Sequence, residues 1–149
     1  MTLEKLNSWL TLLANLGVIA GIVFLAIEIN QNSKAVTAQT RTDISQSVIQ
    51  IMEVQRNPGV IEAMRKRRSG EELSFEDNYY LENLARTTLR TWENTYYQYQ
   101  NGLFDDEEFG ADYRVWRNSI RATYMRTHWE NARLNYSPSF RAAIDELVD

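Results

Sequence analysis

The side chains best equipped for chemistry lie in four places along the chain. The tract Trp92-Glu93-Asn94-Thr95-Tyr96-Tyr97-Gln98-Tyr99 sets the carboxylate of Glu93 among aromatic rings, with Trp92 and Tyr96 one helical turn apart. A pocket of that kind would hold a cationic ligand over ring faces. An aromatic stripe at helical spacing is equally what fills the core of a helix bundle. Arg65-Lys66-Arg67-Arg68 is the one dense cationic run. Such a run suits anionic lipid headgroups, and it also suits the last turn of a helix, whose free carbonyls favour cations. His128 is the single histidine, which excludes paired-His metal sites and the two Glu-x-x-His motifs of di-iron bundles. Beside Trp129 it reads as a structural group rather than a general base. Glu28 closes an uncharged stretch; a ring of such carboxylates in an oligomer lines a cation entrance, while a single one at a membrane edge simply reaches water.

The inventory excludes more than it offers. The chain has no cysteine, so disulfides, Cys-ligated zinc, iron–sulfur clusters and thiol catalysis are absent. Neither a phosphate-cradling glycine loop nor a nucleophile elbow is present. The 16 Lys and Arg against 20 Asp and Glu leave a net charge of -4, the wrong sign for general nucleic-acid binding. No catalytic residue, cofactor or metal ligand is assigned, and the composition points away from an enzyme.

The elements that would position these groups begin with an apolar segment. Between Lys5 and Glu28 the chain carries no charge for 22 residues, and from Leu10 to Ile27 only Thr11 and Asn15 are polar. As a helix, 22 residues reach ~33 Å, enough for a hydrocarbon core of ~30 Å. With Trp9 at the headgroup level and Asn7 or Ser8 free to cap its start, a transmembrane helix is expected over about residues 8–29. A soluble core helix of this length would show a polar face, and a signal peptide would place small residues soon after the apolar run; neither feature is found here. Counted as Lys and Arg alone, Lys5 before the span and Lys34 and Arg41 after it favour a cytoplasmic C-terminal part. Ala14, Gly17, Gly21, Phe24 and Glu28 share one face, and Gly17 and Gly21 form a GxxxG. In lipid, small residues allow close helix approach, so Ala14, Gly17, Gly21 and Glu28 are the expected oligomer interface.

The remaining residues are strongly polar, as the whole-chain mean hydropathy of -0.47 requires. The expected division is 1–32 for the membrane segment and 33–149 for a soluble domain. The text of that domain is helical throughout. Lys34 to Arg56 is placed to continue the membrane helix as one rod, with Val36, Ile44, Val48, Ile51 and Val54 near helical spacing, until Asn57-Pro58-Gly59 breaks it. A short helix follows from Val60 to Arg68. Ser74 then caps a long helix ending at Asn101-Gly102, with Leu81, Ala85, Leu89, Trp92, Tyr96 and Tyr99 on its apolar face. Asp105 to Glu108 opens another helix carrying Phe109, Tyr113, Trp116 and Ile120. Trp129 marks a further one, and Ser137-Pro138 starts the last. The fold class expected is all-α, one N-terminal transmembrane helix plus a soluble bundle of about five helices.

Residues 17–32, the Trp92–Tyr99 tract with Gly102, and Ser137-Pro138-Ser139-Phe140 together resemble a group of small bacterial proteins of unknown function that begin with one membrane helix. The resemblance covers nearly the whole chain. It implies a single-pass protein of the bacterial inner membrane and brings no activity or cofactor with it. The expected partners are membrane lipid, further copies of the chain and another membrane protein. The expected function is a membrane-anchored assembly or partner-binding module. The alternatives are a small oligomeric ion channel with Glu28 near its pore, and an enzyme or ligand-binding protein using Trp92, Glu93 and Tyr96.

Overall fold

The computed structural model describes residues 2–148, so the outermost positions of the ranges 1–32 and 33–149 lie outside it. The chain is all-helical, with no strand among the described residues. Its contacts divide it into Met1–Arg41 and Thr42–Asp149. Helix α1 runs unbroken over Leu3–Gln55. The polar seam Asn30-Gln31-Asn32-Ser33 therefore does not interrupt it, because no glycine or proline lies there to break the hydrogen-bond ladder. One part of α1 is long and apolar enough to cross a membrane.

In the second unit each helix boundary has a local cause. Helix α2 (Pro58–Ser69) starts two residues earlier than its apolar residues suggest, since Asn57 accepts a hydrogen bond from the Gly59 N–H at 2.9 Å and Pro58 occupies the first turn. It stops at Gly70, whose φ of 74° is left-handed, with the Glu71 N–H donating to the Lys66 carbonyl at 2.9 Å. Helix α3 (Phe75–Gln100) opens on a full capping box of Ser74 and Asp77, and α4 (Asp106–Ser119) on one of Asp105 and Glu108. Helix α5 (Thr123–Ala132) passes into a 3-10 turn at Arg133–Asn135, and α6 (Pro138–Val148) closes the fold.

Two apolar clusters lie on either side of α3. The larger gathers Ala85, Leu89 and Trp92 with Phe109 and Trp116 of α4, Met125 and Trp129 of α5, and Phe140, Ile144 and Leu147 of α6. Trp92 stacks on Trp116 with centroids 5.2 Å apart, and Trp129 meets Phe140 edge-on at 5.9 Å. These are the offset-stacked and T-shaped geometries that ring quadrupoles favour. The smaller cluster joins Leu84 to Val60 and Ile51, with Val54, Met64, Tyr80 and Tyr124 around it. Of the apolar residues at helical spacing in the later part of α1, Ile44 and Ile51 are buried, whereas Val36 is 58% exposed and Val48 40%.

Candidate functional site

A cleft of about 400 Å³ opens between α3 and α5. Two polar rows make its walls. Asn78, Glu82, Arg86 and Arg90 follow one another at intervals of four on α3, so they stack along a single face of that helix. Across from them Tyr124, Thr127, His128 and Asn131 recur at three and four on α5. Leu81, Tyr136 and, from α2, Arg67 also line it.

The three guanidiniums differ in what holds them. Arg90 donates to Glu93 at 2.7 Å and to the Asn135 carbonyl at 3.1 Å, and sits over the Tyr136 ring at 4.4 Å. Glu93 in turn accepts the Ser137 N–H at 2.7 Å, so Arg90 and Glu93 together tie α3 to the start of α6. Arg86 makes one bond, to Glu82 at 2.7 Å. Arg67 lies 5.7 Å from the Tyr124 ring centroid and forms no ion pair among the described residues.

His128 is buried, with Nε2 3.2 Å from the Tyr136 hydroxyl. No buried side-chain nitrogen or oxygen lacks a partner among the described residues. Nε2 is the ring nitrogen bonded to protein, and because no buried polar atom lacks a partner among the described residues, Nδ1 is not sealed from solvent; His128 lines the cleft. Burial holds the imidazole pKa below its ordinary value, and Arg86 and Arg90 push it the same way against Glu82. Burial raises the Tyr136 and Tyr124 hydroxyls. When Tyr136 donates to Nε2 of the neutral ring, Nδ1 carries the proton and offers it to the cleft.

The residues singled out from sequence fall in several settings. Ala14, Gly17, Gly21 and Glu28 are all exposed on α1, and a Cβ built at Gly17 or Gly21 would meet nothing within 4 Å. The basic run is split among different partners. Arg65 bridges Glu62 and Glu71 at 2.8 and 2.7 Å, Lys66 pairs with Asp77 at 2.8 Å, Arg67 faces the cleft and Arg68 lies at a separate depression. Trp92 is buried against Trp116, and Tyr96 packs on Phe109 and Phe140 with centroids 5.8 and 6.0 Å away. Neither these two rings nor Glu93 is among the residues lining the cleft. Among the described residues no group of three or more His, Asp or Glu is placed to hold a metal ion.

Scanned against models of known protein families the chain matches none, and it matches no curated protein and no solved structure. The likeness to small bacterial membrane proteins rests on the sequence motifs alone.

The cleft is not legible in the sequence, because a period of 3.6 marks apolar faces. A signal was present: polar residues at 78, 82, 86 and 90 share one stripe of α3. A polar stripe alone does not distinguish a solvated face from a cleft wall. That distinction needs α5 opposite.

Proposed function

We propose that this is a single-pass membrane protein whose span covers about residues 8–29 of α1, and whose helical domain acts as an anchored assembly or partner-binding module. The supporting observation is the exposure of the apolar run. Thirteen large apolar side chains from Trp9 to Ile29 stand exposed. Covering one such side chain contributes ~1.5–3 kcal/mol. Halved for shading by the helix itself, the run still amounts to roughly 10–20 kcal/mol, comparable with the whole net stability of a domain, ~5–15 kcal/mol. Something must cover it. The absence of charge around the full helix circumference fits hydrocarbon better than a protein partner, which would cover one face only.

Small residues at Ala14, Gly17 and Gly21 favour a second copy of the helix as neighbour within the bilayer. The flanking Lys and Arg favour a cytoplasmic domain, and the sequence resemblance adds the bacterial inner membrane as the setting. The test is fractionation of expressing cells followed by washing of the membranes with alkaline carbonate. The protein is expected to stay in the pellet. Recovery in the supernatant as a dispersed monomer would overturn the reading.

A further inference from the structure

We propose that the cleft between α3 and α5 binds a phosphate group, carried by a soluble phosphate ester or by a lipid headgroup, with Arg67 and Arg86 as its principal ligands and His128 Nδ1 as a third donor. The cleft lies wholly within the second unit, so the proposal is independent of the membrane reading.

The first argument is charge. The chain carries a net charge of -4, yet of the three arginines at this cleft Arg90 is balanced by Glu93, and Arg67 and Arg86 face the single carboxylate of Glu82. The excess of cations is therefore local, in a chain where acids outnumber bases. The second argument is donor capacity. Each guanidinium has five N–H donors. Arg90 spends two of its five on Glu93 and Asn135 and is held over the Tyr136 ring, so it is the most tied of the three. Arg86 spends one donor on Glu82, and Arg67 spends none on an acceptor among the described residues. Two forked donors are thus available on neighbouring helices, joined by an imidazole nitrogen that no protein group occupies.

Size and valence then select the ligand. A volume of about 400 Å³ suits a small organic molecule. A guanidinium fork fits carboxylate and phosphate alike. Arg67 and Arg86 less the one carboxylate of Glu82 leave about one positive charge in excess, which calls for an anion, and the three acceptor oxygens of a phosphate monoester match two forks and an imidazole donor where the two oxygens of a carboxylate do not. Leu81 and Tyr124 give the organic portion an apolar surface.

The experiment uses the full chain in detergent micelles with inorganic pyrophosphate as probe. Binding is read by calorimetry and by the imidazole resonance of His128, unambiguous because the chain has one histidine. Saturable binding is expected, with the His128 titration midpoint moving up, since an adjacent anion favours the protonated ring. Arg67→Gln and Arg86→Gln should each weaken binding about tenfold or more. Arg67→Lys should weaken it while keeping the charge, because the planar fork is lost. Arg68→Gln, outside the cleft, should change it less than about twofold. The same resonance read in phosphatidylcholine nanodiscs with and without phosphatidic acid separates the two sources: a response to pyrophosphate assigns a soluble ester, and a response to phosphatidic acid alone assigns a headgroup. The proposal fails if neither probe moves His128, if binding survives both cleft substitutions, or if Arg68→Gln costs as much as they do.

Discussion

Asp77 gathers three donors on one oxygen. Its Oδ2 accepts from Lys66 Nζ at 2.8 Å, from the Ser74 N–H at 2.9 Å and from the Ser74 hydroxyl at 2.7 Å, while the side chain is almost covered. The Lys66 ammonium and the Ser74 bonds stabilise the ionised form and bring the Asp77 pKa from 3.8 down to about 2. A depressed carboxyl pKa means that the unfolded chain binds the proton more readily. The stability from this group is therefore complete above pH 3.8 and is lost as pH falls through about 2. Denaturation followed by circular dichroism at a series of pH values should show wild type losing stability across that window. Asp77→Asn should be less stable at pH 7, with a melting temperature several degrees lower, and should lose less across the acid window; equal melting curves at pH 7 would refute the role. The sequence shows half of this arrangement, because Ser74 and Asp77 are three residues apart and a cap is local chemistry. Lys66 stands eleven residues earlier, and its approach depends on the left-handed turn at Gly70.

Helix boundaries are the most legible elements, and the reason is the same locality. Ser74, Asp105, Gly70 and Gly102 act within a few residues of where they stand, so their effect is written in the nearby sequence. Asn57-Pro58-Gly59 illustrates where that reading stops. The triplet reads as a break, and it does end α1, but it also forms the first turn of α2. Gly59 has no left-handed backbone to justify it. Its reason lies across the fold, where a Cβ would come within 2.3 Å of the Tyr80 ring. Tyr80 packs on the Ile51, Val60 and Leu84 cluster and donates its hydroxyl to Glu76 at 3.2 Å, so the ring has little room to retreat. Two effects oppose each other in Gly59→Ala. Alanine improves helix propensity by ~0.5–1 kcal/mol, and overpacking costs ~1–3 kcal/mol. The second is the larger, and chemical denaturation should show a net loss of about 1–2 kcal/mol. Adding Tyr80→Ala removes the clash, so in a double-mutant cycle the alanine at 59 should become neutral or favourable. A single mutant as stable as wild type would show that the ring yields freely.

At the scale of the whole molecule, the apolar run of α1 and the small-residue face within it make the strongest statement. The helix from Leu3 onward exposes apolar side chains on every side, and Ala14, Gly17 and Gly21 form one strip of small residues among them. For a span in lipid, chain-to-hydrocarbon contact is as favourable for Leu or Ile as contact with another helix, so hydrophobicity alone brings no copies together. Packing does. Two glycines four apart would let a second backbone approach closely under the proposed self-association, and the open space around the Cβ position at both is what such an approach requires. Beyond the apolar run, Gln31, Ala35, Ala38, Thr42 and Ser45 continue the spacing with small or polar side chains, all exposed along α1. Under the proposed self-association, bulk introduced at the two glycines would separate the helices, and leucine, being more apolar than glycine, would not weaken insertion. Gly17→Leu with Gly21→Leu is therefore expected to leave the protein in the membrane, retained after carbonate washing, while lowering the oligomer mass measured by light scattering in mild detergent. Single cysteines give an independent reading, because the natural chain has none: Ala14→Cys should cross-link between copies under mild oxidation, and Ile19→Cys, on a different face, should not. A wild-type protein that is monomeric in the same detergent, unchanged by the leucines, would remove self-association through this face while leaving the span itself intact.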